Sequence, residues 1–134
     1  MTNRTKWAVF LAVTMLLGIM LMAQKTETKR EPMKFPLECT AGDCPLLTGA
    51  PQTIGMRSGS VKLKPGESVG WHSTAANEEA LVILKGTGTA KIEGGADVIL
   101  HDRMLAYIPP KTRHNVTNTG TDTLEYVWVV APVR

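Results

Sequence analysis

From Gln52 to the C-terminus, short β-prone runs alternate with clusters of Gly, Pro, Asn and Asp. The runs lie at about 53–64, 68–73, 79–85, 87–92, 96–100, 103–108, 113–118 and 123–130. Between them stand Lys64-Pro-Gly-Glu67, Gly86-Thr-Gly88, Glu93-Gly-Gly95, Pro109-Pro-Lys111 and Asn118-Thr-Gly-Thr121. Eight short strands at this spacing predict an all-β sandwich or small barrel. No window from 52 to 134 carries a helical period. Val82 to Leu84 and Val127 to Val130 are continuously apolar, which suits strands covered on both faces. Gly66, Gly86 and Gly88 are expected at turns, where a positive φ is needed.

The chain before Gln52 reads differently. Residues 24–51 are polar, with Pro32, Pro36, Pro45 and Pro51. Prolines oppose a helix and the charges oppose a core. This predicts a linker, or an arm laid across the barrel, ahead of a domain at 52–134. Residues 7–23 form 17 positions without a charge, preceded by Arg4 and Lys6. A basic start, an apolar stretch and Ala23 at the exit make an export signal, although Leu21 is large for its place before the cut. An uncleaved transmembrane helix is the rival, since 17 residues nearly span a bilayer core. In both cases residues 1–23 stay with the membrane or its signal machinery, and the remainder is exported, to the periplasm or outside the cell.

Charge adds little. Arg4 and Lys6 are two of the 15 basic residues, which leaves 13 against 12 acidic residues in 24–134. There is no basic stripe and no aromatic interleaving, so no nucleic-acid partner is expected. Membrane contact is expected only through residues 7–23. Cys39 and Cys44 are the only cysteines. In an exported chain so close a pair is expected to form a structural disulfide. A redox or metal role is the alternative, but no second pair completes a zinc site.

The candidate chemistry rests on few residues. The three histidines are His72, His101 and His114. His72 and His114 lie at strand ends beside turns, where binding residues often sit on a rigid frame. Strand alternation puts His72 and Thr74 on one face, and His114, Val116 and Asn118 on another. Glu79 opens the next run and could return beside His72 across a hairpin. Two imidazoles and a carboxylate suit Fe(II), Mn(II), Zn(II), Ni(II) or Cu(II). Trp71, Tyr107, Tyr126 and Trp128 could line a pocket or simply pack the core. Arg103, Lys111 and Arg113 could hold an anion at a barrel mouth or form a solvated loop face. His101-Asp102 reads as a polar turn. Asn115-Val116-Thr117 matches a glycosylation sequon but falls on a predicted strand.

These positions resemble the two motifs of the cupin superfamily. The first, G-x5-H-x-H-x3,4-E-x6-G, finds Gly66, His72, Thr74, Glu79 and Gly86. The second, G-x5-P-x-G-x2-H-x3-N, finds Arg103, Pro109, Lys111, His114 and Asn118. The resemblance covers about residues 53–131. It implies a double-stranded β-helix, or jelly roll, with both motifs at one mouth. Cupins with the full set bind metal through three histidines and a glutamate. Here the resemblance carries over His72, Glu79 and His114, with Thr74 where the second histidine would stand. Thr74 is then a weak ligand or a hydrogen-bonding partner of a metal-bound water. Arg103 and Lys111 replace glycines. The implied functions are a metal-dependent enzyme, such as a small-molecule dioxygenase or isomerase, or a non-catalytic module for a sugar-like ligand. A homodimer through the sheets is the further partner that the resemblance suggests.

Overall fold

The computed structural model describes residues 29–133. The expected export signal or transmembrane helix at 1–23 lies outside the described residues. Among the described residues no helix is long and apolar enough to cross a membrane.

From Pro32 onward the chain folds as one unit of nine strands: β1 (Gly42–Thr48), β2 (Arg57–Leu63), β3 (His72–Ser73), β4 (Asn77–Lys85), β5 (Gly88–Ile92), β6 (Val98–Leu100), β7 (Met104–Ile108), β8 (Arg113–Asn118) and β9 (Leu124–Pro132). They form a five-stranded sheet in the order β1-β2-β9-β4-β7 and a four-stranded sheet in the order β3-β8-β5-β6. All pairings are antiparallel. The two inner faces enclose Val61, Leu63, Leu81, Ile83, Ala90, Leu100, Val116, Leu124 and Tyr126. Alternation along each strand explains this filling. Val61 and Leu63 point inward from β2, and Leu124 and Tyr126 face them from β9 in register.

Eight strands follow the predicted runs, and the ninth corrects the expected boundary. The arm at 24–51 contains β1, which pairs with β2 from Gly42↔Lys62 to Thr48↔Arg57. Pro45 is tolerated because β1 is an edge strand, and the register shifts between Pro45 and Leu47. Cys39 and Cys44 are joined by a disulfide, with Cα atoms 5.7 Å apart.

Three further expectations change. The run at 68–73 pairs only at His72–Ser73, plus a bridge from Ser68 to Thr117, because Gly70 turns the backbone with φ 86°. The apolar runs on β4 and β9 are not covered on both sides by described residues. Ile83 and Val130 are buried, whereas Val82, Val127 and Val129 are half-buried and Leu84 is exposed. Gly66 and Gly86 do adopt positive φ, but Gly88 does not. A side chain at Gly88 would begin 2.6 Å from Leu124, so this glycine serves close packing.

Asn118 closes the end of the barrel away from His114. Its amide nitrogen donates to the carbonyls of Leu63 (2.9 Å) and Asp122 (2.8 Å). Its amide oxygen accepts from the Gly120 N–H at 2.9 Å. Three chain segments are thus tied by one buried side chain whose polar atoms are all engaged.

Candidate metal centre

His72, Glu79 and His114 come together at the opposite end. His72 and His114 are direct cross-strand partners on β3 and β8. Their rings lie 4.3 Å apart between centroids, tilted by 60°. Glu79 arrives from β4 in the other sheet, so the expected hairpin return does not occur. The connection crosses between sheets instead, since Thr74 turns inward and Ala75 adopts φ 49°. One donor atom from each of the three residues lies within 4.8 Å of the others.

Hydrogen bonding prepares both imidazoles. Nδ1 of His72 is 2.9 Å from the Gly70 carbonyl, and Nδ1 of His114 is 3.4 Å from the Thr112 carbonyl. A carbonyl can only accept, so each Nδ1 carries the hydrogen and each Nε2 presents a lone pair. His114 is fully buried and Glu79 nearly so. Nε2 of His114 stands 3.3 Å from Oε2 of Glu79. Yet it has no hydrogen-bond partner. A buried lone pair facing a carboxylate is unfavourable unless a cation lies between them. A metal ion at about 2.0–2.2 Å from each donor meets that need. The 3.3 Å pair is compatible with a shared ion, and the slack in the group lies with exposed His72. The donor set therefore fits a divalent transition metal.

Thr74 has a different occupation from a ligand's. Its hydroxyl donates to the Pro109 carbonyl at 2.9 Å and accepts from the Thr112 N–H at 3.0 Å. Its own N–H donates to the Thr112 carbonyl at 3.1 Å. It thereby fixes the loop that delivers His114. Lys111 and Arg103, which stand where glycines are expected, adopt φ 60° and 59°. The backbone keeps the glycine conformation although the side chains resist it.

A cavity of about 250 Å³ is lined by two of the three candidate ligands, His72 and Glu79, while His114 lies behind its wall. Tyr126, Trp128, Val61, Val69, Val116 and Val130 supply its apolar wall. Burial, with the charges of Glu79 and Asp43, pushes the Tyr126 phenol well above its ordinary value, so it stays neutral. Trp128 lies across Gly59, where any side chain would begin 2.6 Å from the indole nitrogen. That nitrogen donates to Oδ1 of Asp43 on β1 at 2.8 Å. The arm that the sequence suggested as a tether thus supplies a wall residue.

The other candidates fall elsewhere. Trp71 and Tyr107 are exposed, and Tyr107 donates to Glu78 at 3.3 Å. Arg113 pairs with Glu93 and stacks over Trp71 at 5.3 Å. Neither Arg103 nor Lys111 lines the cavity; among the described residues its one cation besides histidine is Arg57. Arg57 was not singled out from the sequence; the signal that could have found it is alternation, since it shares the inward parity of Val61 and Leu63. His101 is exposed beside Asp102, whose carboxylate accepts from Gly86 N–H at 2.6 Å. Asn115 lies on β8, mostly buried.

The double sheet and the site at its mouth define a small single-domain cupin, and sequence comparison agrees. Residues 59–130, more than half of the chain, match the cupin domain family, and the chain belongs to it. None of the curated proteins matches it by sequence. Among solved structures, a Bacillus halodurans protein is similar at TM-score 0.66 and 20% identity, covering 81% of this chain and 87% of that one. A predicted oxalate decarboxylase of Thermotoga maritima is similar at TM-score 0.53 and 21% identity, covering 70% and 95%. The cupin domain of Schizosaccharomyces pombe Cnp3 is similar at TM-score 0.60 and 14% identity, covering 68% of this chain and 64% of that one. At such identities the likeness is one of fold.

Proposed function

We propose that this cupin domain holds one divalent transition metal ion through His72, Glu79 and His114 and acts on a small organic molecule in the cavity above it. The observation that carries the reading is the buried Nε2 of His114, unpartnered and 3.3 Å from Glu79. Three protein donors leave coordination positions open towards the cavity. A bound ion there would supply Lewis acidity or oxygen activation, which suits dioxygenation or isomerisation. The apolar wall of Val61, Val116, Val130 and Trp128 excludes water from the bound molecule. Tyr126, held neutral, offers a hydroxyl without a competing charge.

Thr74 supports three ligands rather than four, because its hydroxyl is committed to Pro109 and Thr112. The export reading is part of the proposal. It is supported by the apolar stretch at 7–23 and by the Cys39–Cys44 disulfide, which suits an oxidising compartment. A ligand-binding barrel without turnover would use the same cavity, and would show ligand-dependent melting shifts with no product formed.

Elemental analysis of the purified full-length chain tests the metal reading. One equivalent of a transition metal is expected in the wild type and loss of it in His114→Ala. A wild type that neither carries nor takes up metal contradicts it.

A further inference from the structure

Arg57 is the cavity residue that the metal reading leaves unexplained. It opens β2 on the inward parity, directly across from Val130, which in turn pairs with Glu79. The guanidinium-bearing position therefore lies two strand steps from the carboxylate ligand, about 10 Å along the sheet. The stem of Arg57 passes Gly49, with its Cγ 3.4 Å from where a side chain there would begin. Gly49 has φ 88°, a conformation that suits glycine. Arg57 is exposed at the cavity mouth, and among the described residues its side chain makes no hydrogen bond and no ion pair, although Asp43 lines the same cavity. Asp43 is engaged by Trp128 instead.

Charge in the cavity points the same way. Among the described residues its acidic groups are Asp43 and Glu79, and its only basic side chain other than histidine is Arg57. A divalent ion offsets the two carboxylates and leaves the guanidinium as the uncompensated charge. A planar guanidinium is suited to a carboxylate through two parallel hydrogen bonds. The 250 Å³ volume is below the usual range for drug-sized ligands.

We propose that Arg57 anchors an anion subsite, and that the molecule taken at the metal centre is a small carboxylate with its charged end on Arg57 and its other end towards His72, Glu79 and His114. This rests on the metal reading. The ligand would be small, since the cavity holds only about 250 Å³.

The test titrates lactate, with lactamide as its uncharged counterpart, into full-length metal-loaded protein by calorimetry. Wild type, Arg57→Gln and Arg57→Lys are compared, and the metal in each sample is counted. The wild type should bind lactate at least about tenfold more tightly than lactamide. Arg57→Gln should lose that preference with its metal content and melting temperature unchanged, while Arg57→Lys keeps part of it. Equal lactate binding by wild type and Arg57→Gln overturns the proposal, as does a wild type that does not distinguish the two probes. In both cases the metal count stands apart and the metal reading survives. A wild type without metal overturns both, and the count identifies that case.

Discussion

The two ends of strand β8 carry side chains of similar polarity with opposite fates. At its exit, buried Asn118 has its amide nitrogen and oxygen engaged by Leu63, Asp122 and Gly120. At its start, His114 is more deeply buried than most of the core and has an unpartnered Nε2. The two are four residues apart, about 13 Å, on the same inward face. Buried polar groups are normally satisfied because leaving one unpaired costs about 1–3 kcal/mol. The fold meets that rule at the closed end and departs from it at the mouth. The difference separates an architectural residue of the second motif from a functional one, although the motif alone gives them equal standing.

The largest expected effect strikes the closed end. Asn118→Ala removes the partners of two carbonyls and one N–H, and should lower unfolding free energy by about 3 kcal/mol. Urea denaturation measures it. The folded fraction should still take up metal, and a variant that folds normally but loses metal would erase the contrast between the two ends.

Thr74 lies between these extremes, since it is architectural but holds the loop before His114. Thr74→Val removes the bonds to Pro109 and Thr112 and should cost about 2 kcal/mol. Metal affinity should fall by about tenfold as the ligand loses its support. Thr74→Ser should restore both. Metal affinity that ignores Thr74→Val would show that the loop needs no such clasp.

The smallest effect runs the other way. Lys111 holds φ 60° and uses its backbone N–H to reach the Ala75 carbonyl at 2.8 Å. Lys111→Gly relieves a strained backbone, partly offset by the entropy of a freer unfolded chain. A gain of about 0.5–1 kcal/mol is expected in the same denaturation experiment.

Much of the barrel was legible in the chain. Strand alternation and turn chemistry agree from Arg57 to Pro132, and both motifs fall where strands end. β1 was hidden because Pro45 and the charges upstream carry a loop's composition, and an edge strand tolerates both. The closeness of His72 and His114 was implied by the motifs, but not their pairing as direct neighbours. That pairing depends on Gly70 shortening β3 and on Thr74 sending the chain to the other sheet. Arg57 and Asp43 escaped for a related reason. Neither stands in a motif, and only the folded sheets bring Arg57 and Asp43 to the cavity that His72 and Glu79 line.

The central claim is that a cation belongs between His114 and Glu79. Anomalous X-ray diffraction from crystals of the metal-loaded protein, collected at the edge of the metal found by elemental analysis, addresses it most directly. The account predicts one peak at about 2.0–2.3 Å from donor atoms of His72, Glu79 and His114. A peak bound elsewhere, or none beside an undisturbed Nε2 of His114, would contradict it.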